Sequence, residues 1–142
     1  MSQTAMPRAL TILLVEDDPG DALMIEEALL DRAQGHALCR VADGLEALEW
    51  LRTRQRPDLV ILDLNMPRMD GREFLSAMKA EERWRTIPVV VLTTSAAPDD
   101  VRRSYDLHAN AFVTKPVELE SFLETVRGID DFFLGLVTLP RT

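Results

Sequence analysis

An alternation narrows what this chain can fold into more than any other feature. Five short apolar runs, ALTILLV (9–15), HALCRVA (36–42), DLVIL (58–62), IPVVVLT (87–93) and NAFVT (110–114), are each followed by a stretch with apolar residues at helical spacing. Those stretches are GDALMIEEALLDRA (20–33), GLEALEWLRT (44–53), GREFLSAMKAEE (71–82), PDDVRRSYDL (98–107) and VELESFLETVRG (117–128). Leu59, Val60, Ile61 and Leu62 follow one another with no polar residue between them, which suits a strand covered on both faces. Pro98 followed by two acids is a helix start. Five β–α units in alternation predict an α/β fold, a doubly wound five-stranded parallel sheet with helices on both faces.

The 142 residues suit one domain with a substantial core. A formal net charge of −8, from 24 acids and 16 bases, argues against a nucleic-acid partner or an anionic membrane surface. No segment approaches the roughly 20 apolar residues of a membrane span, and the start has no signal-peptide pattern. The expected location is cytoplasmic. The single cysteine, Cys39, excludes an intrachain disulfide and is read as a small buried hydrophobe.

In an open sheet of this kind ligands sit outside the carboxyl ends of the strands, so the polar residues there decide the function. Glu16, Asp17 and Asp18 follow the first strand, and Asp63 follows the third. Thr93, Thr94 and Ser95 follow the fourth, and Lys115 with Pro116 follows the fifth. Clustered carboxylates repel unless a cation joins them. Hard oxygen ligands favour Mg²⁺, which keeps some waters and binds phosphate readily. A lysine and a hydroxyl in the same crevice suit phosphoryl oxygens. Asp63 would then be a carboxylate placed to attack phosphorus and form an acyl phosphate.

The set LLVEDD, ILDLNMPRMDG, VVVLTTS and FVTKP, in this order and spacing, resembles a response-regulator receiver domain over residues 9–127. The resemblance implies the flavodoxin-like (βα)5 receiver fold and phosphorelay signalling in a two-component system, with a sensor histidine kinase as partner. It implies Asp63 as phosphoacceptor, with Thr93 and Lys115 completing the reactive set. Asp17 would bind Mg²⁺ directly, Glu16 largely through water, and Asn65 through its backbone carbonyl. Thr93 would be the switch hydroxyl and Phe112 the switch aromatic. VEDDPGDALMIEEAL, SYDLHANAFVTKP and GIDDFFLGLVTLP further resemble the single-domain regulators that partner cyanobacterial and bacterial phytochromes.

The chain departs from the family pattern in three places. Glu16 stands where aspartate is more common, Phe112 lacks a tyrosine hydroxyl, and Thr94 adds bulk where many receivers have Ala or Gly. Asp18 and Asp70 are read as helix caps rather than ligands. His36 and His108 fall outside the crevice, and His108 is assigned to the end of the fourth helix. Trp50 and Trp84 are packing or partly exposed helix residues, and EERWR is a solvated helix end. The alternative of a Mg²⁺-dependent phosphatase with an aspartate nucleophile needs a second acid two residues on, where Asn65 stands. A flavin mononucleotide carrier needs a hydroxyl-rich loop where the acids at 16–18 lie. The protein is therefore expected to be a phosphoprotein and not an enzyme. Residues 128–142 form an apolar extension expected to make a homodimer interface.

Overall fold

The computed structural model describes residues 10–30, 36–53, 56–66 and 68–134. Its strands are β1 (Thr11–Val15), β2 (Ala37–Val41), β3 (Leu59–Leu62), β4 (Val89–Thr93) and β5 (Ala111–Thr114). Its helices are α1 (Pro19–Leu30), α2 (Gly44–Thr53), α3 (Gly71–Ala80), α4 (Pro98–Asp106) and α5 (Leu119–Ile129). A π-helical turn, Asp130–Leu134, follows α5. The sheet is parallel, in the order β2-β1-β3-β4-β5. The chain moves outward from β1 to β2 and then returns to the other side of β1 with β3. That reversal opens a crevice between the carboxyl ends of β1 and β3.

Two apolar layers sandwich the sheet. Leu13, Val15, Val60, Leu62 and Val91 point into one, with α2 and α3. Ile12, Leu14, Ile61, Val90 and Leu92 point into the other, with α1 and α5. Alternate residues of each strand thus serve opposite layers, which is why the central strands show no polar alternation in sequence.

Asp70 closes a capping box on α3: its side chain accepts from the Glu73 N–H, and the Glu73 side chain accepts from the Asp70 N–H. Asp18 caps α1, accepting from the Gly20 N–H at 2.9 Å. Both assignments agree with the sequence reading. Asp43 is buried beneath α2, accepts from the Glu46 N–H and is paired with Arg68 at 2.6 Å. Burial works to raise its carboxyl, but the Glu46 N–H and the Arg68 guanidinium outweigh that and hold it below the usual range.

Several details differ from expectation. Cys39 is half-buried, because β2 is an edge strand, and its Sγ accepts from Trp50 Nε1 at 3.2 Å. Helix α3 stops at Ala80, where Glu81 turns extended. Trp84 therefore leaves the EERWR segment to pack in the core, with the Arg83 guanidinium 4.5 Å over its ring. His108 lies two residues past the end of α4, in the left-handed region at φ 73°. His36 lies at the opposite end of the sheet from the crevice. Its Nδ1 accepts from the Leu10 N–H at 3.1 Å, which leaves Nε2 facing Asp130 at 3.5 Å.

Beyond Gly128 the chain continues in helical form. Ile129 is buried and Phe133 packs against the α1–α5 layer. Leu119 on α5 is 54% exposed and Phe132 on the π-helical turn 49%. Leu136, Val137, Leu139 and Pro140 of the extension lie outside the described residues.

Two glycines with opposite surroundings test this packing. A Cβ on Gly71 would sit 2.6 Å from Leu64 Cα, and closer still to the Asp63 carbonyl, whereas a Cβ on Gly128 would meet nothing within 4 Å. Urea unfolding should show Gly71→Ala losing roughly 1–3 kcal/mol. Gly128→Ala should gain about 0.5–1 kcal/mol from helix propensity.

Candidate functional site

Main-chain pairing delivers the site residues. Val15 pairs with Leu62, so Glu16 and Asp63 leave adjacent strands side by side. The Asp63 N–H donates to the Val15 carbonyl at 3.0 Å, extending the ladder by one residue. The Glu16 N–H likewise donates to the Val41 carbonyl at 3.0 Å. On the far side Thr93 pairs with Thr114, and the Lys115 N–H donates to the Thr93 carbonyl at 2.6 Å. The side chains of Glu16, Asp17, Asp63 and Lys115 are thereby brought to one end of the sheet.

One oxygen each from Glu16, Asp17 and Asp63 lies within 4.8 Å of the others. Glu16 is 1% exposed and Asp63 7% exposed. Such a donor set fits a hard divalent cation, because it is all oxygen, densely negative and reached from solvent through the half-buried Asp17. Glu16 differs from the other two in having both oxygens engaged. Its Oε2 accepts from the Asp18 N–H at 3.2 Å and its Oε1 from Lys115 Nζ at 2.8 Å. Burial pushes Glu16 up to about 7, with the charge of Asp63 adding to the effect and Lys115 opposing it.

Lys115 Nζ also donates to Asp21 Oδ2 at 2.8 Å and stands 3.9 Å from Asp63 Oδ2. Burial works to lower this ammonium, but the hydrogen bonds to Asp21 and Glu16 and the charge of Asp63 outweigh it and raise Lys115 above the ordinary lysine range. The acids it faces therefore stabilise the charged form of Lys115.

The Asn65 N–H reaches Asp63 Oδ1 at 3.4 Å. Thr93 is fully buried, and its Oγ1 has no hydrogen-bond partner among the described residues. Thr94 is exposed beside it. The Phe112 ring packs at the edge of the core, and its N–H donates to the Tyr105 hydroxyl of α4 at 3.2 Å.

Four contacts were not legible in sequence. Arg40 Nε donates to the Glu16 carbonyl at 3.0 Å, pinning the loop after β1. Asp100 accepts from Ser95 Oγ at 2.6 Å and is salt-bridged to Arg72, tying α4 to α3. Asp21 pairs with Lys115. The sequence marks Asp21 only as an acid in the first turn of α1.

A family model, the response regulator receiver domain, matches residues 12–127. The chain belongs to the response regulator receiver family. Receivers act in two-component signalling. This receiver is 44% identical over 135 residues to response regulator Rcp1 of Synechocystis sp. (strain ATCC 27184 / PCC 6803 / Kazusa), covering 91% of this chain and 92% of that protein. Among solved structures it resembles the phosphorylated cyanobacterial phytochrome response regulator RcpA, with a TM-score of 0.91 and 43% identity over 94% of this chain and 99% of that one. It also resembles the Mn²⁺-bound form of Rcp1, with a TM-score of 0.89 and 43% identity over 93% of this chain and 99% of that one. These matches bear out the doubly wound fold and the resemblance to phytochrome-associated regulators.

The receiver has two lysines, Lys79 and Lys115. Lys79 donates to the carbonyls of Arg85 and Ile87, and burial with the nearby Arg56 charge pulls it down to about 8. NMR titration of lysine-labelled protein should thus show two signals moving on opposite sides of the ordinary lysine range. The Lys79 midpoint is expected near 8 and the Lys115 midpoint above the reference value of about 10.4.

Proposed function

We propose that the protein is a single-domain response regulator in which Asp63 accepts a phosphoryl group from a sensor histidine kinase. The observation that carries this reading is the setting of the Asp63 carboxylate. It has an oxygen of each of two acids within 4.8 Å and the Lys115 ammonium at 3.9 Å. An Asp63 oxygen would bond to phosphorus as the bond between phosphorus and the kinase imidazole breaks. The electron pair leaves with the imidazole nitrogen.

Each neighbour has a part that follows from its geometry. Lys115 balances charge gathering on the phosphoryl oxygens. Asp17, Asp63 and the Asn65 carbonyl are the proposed Mg²⁺ ligands, with Glu16 acting through water because both its oxygens are engaged. Bound Mg²⁺ would neutralise charge shared by the carboxylates and the phosphoryl group. Thr93 holds a buried hydroxyl with no partner among the described residues, so a phosphoryl oxygen gives it its first acceptor. Its movement toward Asp63 would free space for the Phe112 ring and alter the face made by α4, β5 and α5. The aspartate-nucleophile phosphatase is disfavoured because Asn65 offers no second acid.

The phytochrome association of RcpA supports a phytochrome kinase as the donor. A cytoplasmic location goes with that partner, and no helix among the described residues is long and apolar enough to cross a membrane. Incubation with phosphoramidate and Mg²⁺ should add one phosphoryl group, read by intact mass, and Asp63→Asn should abolish it. Labelling that persists in the variant moves the acceptor elsewhere. Metal titration should show Asp17→Ala binding Mg²⁺ at least tenfold more weakly than Asp18→Ala does, since Asp18 is engaged as a cap.

The same reading includes a homodimer built on the C-terminal end, over residues 128–142. Its support is the exposure of Leu119 and Phe132, on α5 and the π-helical turn, together with the apolar sequence of residues 135–140. Light scattering at tens of micromolar should find a dimer for the full chain and a monomer for a chain ending at Gly128. A full-length monomer counts against it.

A further inference from the structure

Lys115 has more partners than a phosphate-binding lysine needs. Its side chain is 6% exposed, and its ammonium carries three N–H donors on a four-carbon stem. One donor goes to Glu16 Oε1 and one to Asp21 Oδ2, each at 2.8 Å. Charge-assisted bonds of this length are strong. The next oxygen outward, Asp63 Oδ2, is 3.9 Å away, beyond hydrogen-bond reach.

We propose that Asp21 is a positioning residue for phosphoryl transfer: together with Glu16 it holds two donors of Lys115, so that the third is presented to a phosphoryl oxygen on Asp63. The proposal rests on the reading of Asp63 as phosphoacceptor. A phosphoryl group on Asp63 adds three oxygens beyond the carboxylate. One of them closes the 3.9 Å gap without Lys115 leaving either carboxylate. Glu16 cannot do this alone. Its second oxygen is occupied by the Asp18 N–H, and a single anchor leaves a flexible ammonium free to rotate about one contact. Asp21 comes from α1, while Glu16 comes from the end of β1, so the two carboxylates grip Lys115 from different elements. In sequence Asp21 is an ordinary first-turn acid, suited to the helix dipole. The 94-residue separation from Lys115 hides the second role.

The test uses the full chain with Asp21→Ala, Asp21→Asn and Asp21→Glu. Phosphoramidate is the donor, and labelled lysine reports on Lys115. With Asp21→Ala or Asp21→Asn the maximal phosphorylation rate should fall about tenfold, the scale of one lost bond to a charged group. The donor concentration for half-maximal rate should stay unchanged. In metal-free protein the Lys115 signal should titrate at lower pH than in the parent. Asp21→Glu should recover part of the rate. In a Lys115→Ala background, Asp21→Ala should add no further loss. A parent-like rate and an unmoved Lys115 signal in both neutralised variants overturn the proposal while leaving Asp63 as acceptor. A full further loss in the Lys115→Ala background also overturns it, because the effect would then be structural. A parent chain that takes no phosphoryl group overturns the reading of Asp63, and the proposal with it.

Discussion

Carboxylates that share a crevice repel, and the arrangement in this protein depends on how that repulsion is held. Glu16, Asp17 and Asp63 each place an oxygen within 4.8 Å of the others, at the edge of a core that gives little screening. Lys115 is the counter-charge that lets Glu16 stay buried. The compensation is incomplete. One ammonium faces Glu16, Asp21 and Asp63, and burial still raises Glu16 to about 7. A site left short of positive charge in this way suits a divalent cation, and a cation in turn suits an anionic phosphoryl group.

The sheet serves this electrostatic arrangement by removing freedom from it. Glu16, Asp63 and Lys115 are each fixed by a backbone hydrogen bond that continues a strand ladder one residue past its end. Their Cα positions are therefore set by the same register that packs Leu13, Val60 and Val91 in the core. A change that loosens the core would be felt at the carboxylates. The crowding of Gly71 against Asp63 and Leu64 shows the same coupling from the other direction: the start of α3 is packed directly on the backbone of Asp63.

The surface beyond the crevice is also connected. Ser95 follows Thr93 by two residues. It donates to Asp100 on α4, and its carbonyl accepts from Thr114 Oγ1 of β5 at 3.1 Å. Asp100 in turn meets Arg72 of α3. Tyr105 takes the Phe112 N–H on the strand edge. A displacement at Thr93 thus has short polar routes to α3, α4 and β5.

By itself the sequence determined the order of the strands and helices, because unbroken apolar runs and helical spacing record burial residue by residue. It also determined the chemistry of the crevice, because Glu16, Asp17, Asp63, Thr93 and Lys115 stand immediately at strand ends, where the topology leaves one destination. The caps at Asp18 and Asp70 were legible for the same local reason: the bond is made within three residues. Only the tertiary structure decided which acids Lys115 grips, that Trp84 turns inward, that His36 meets Asp130, and that α5 runs on into a π-helical turn while Leu119 is left outside. Each of these joins side chains from separate elements or depends on where a helix ends. Sequence spacing carries no record of such contacts, because they arise when packed layers bring distant residues together.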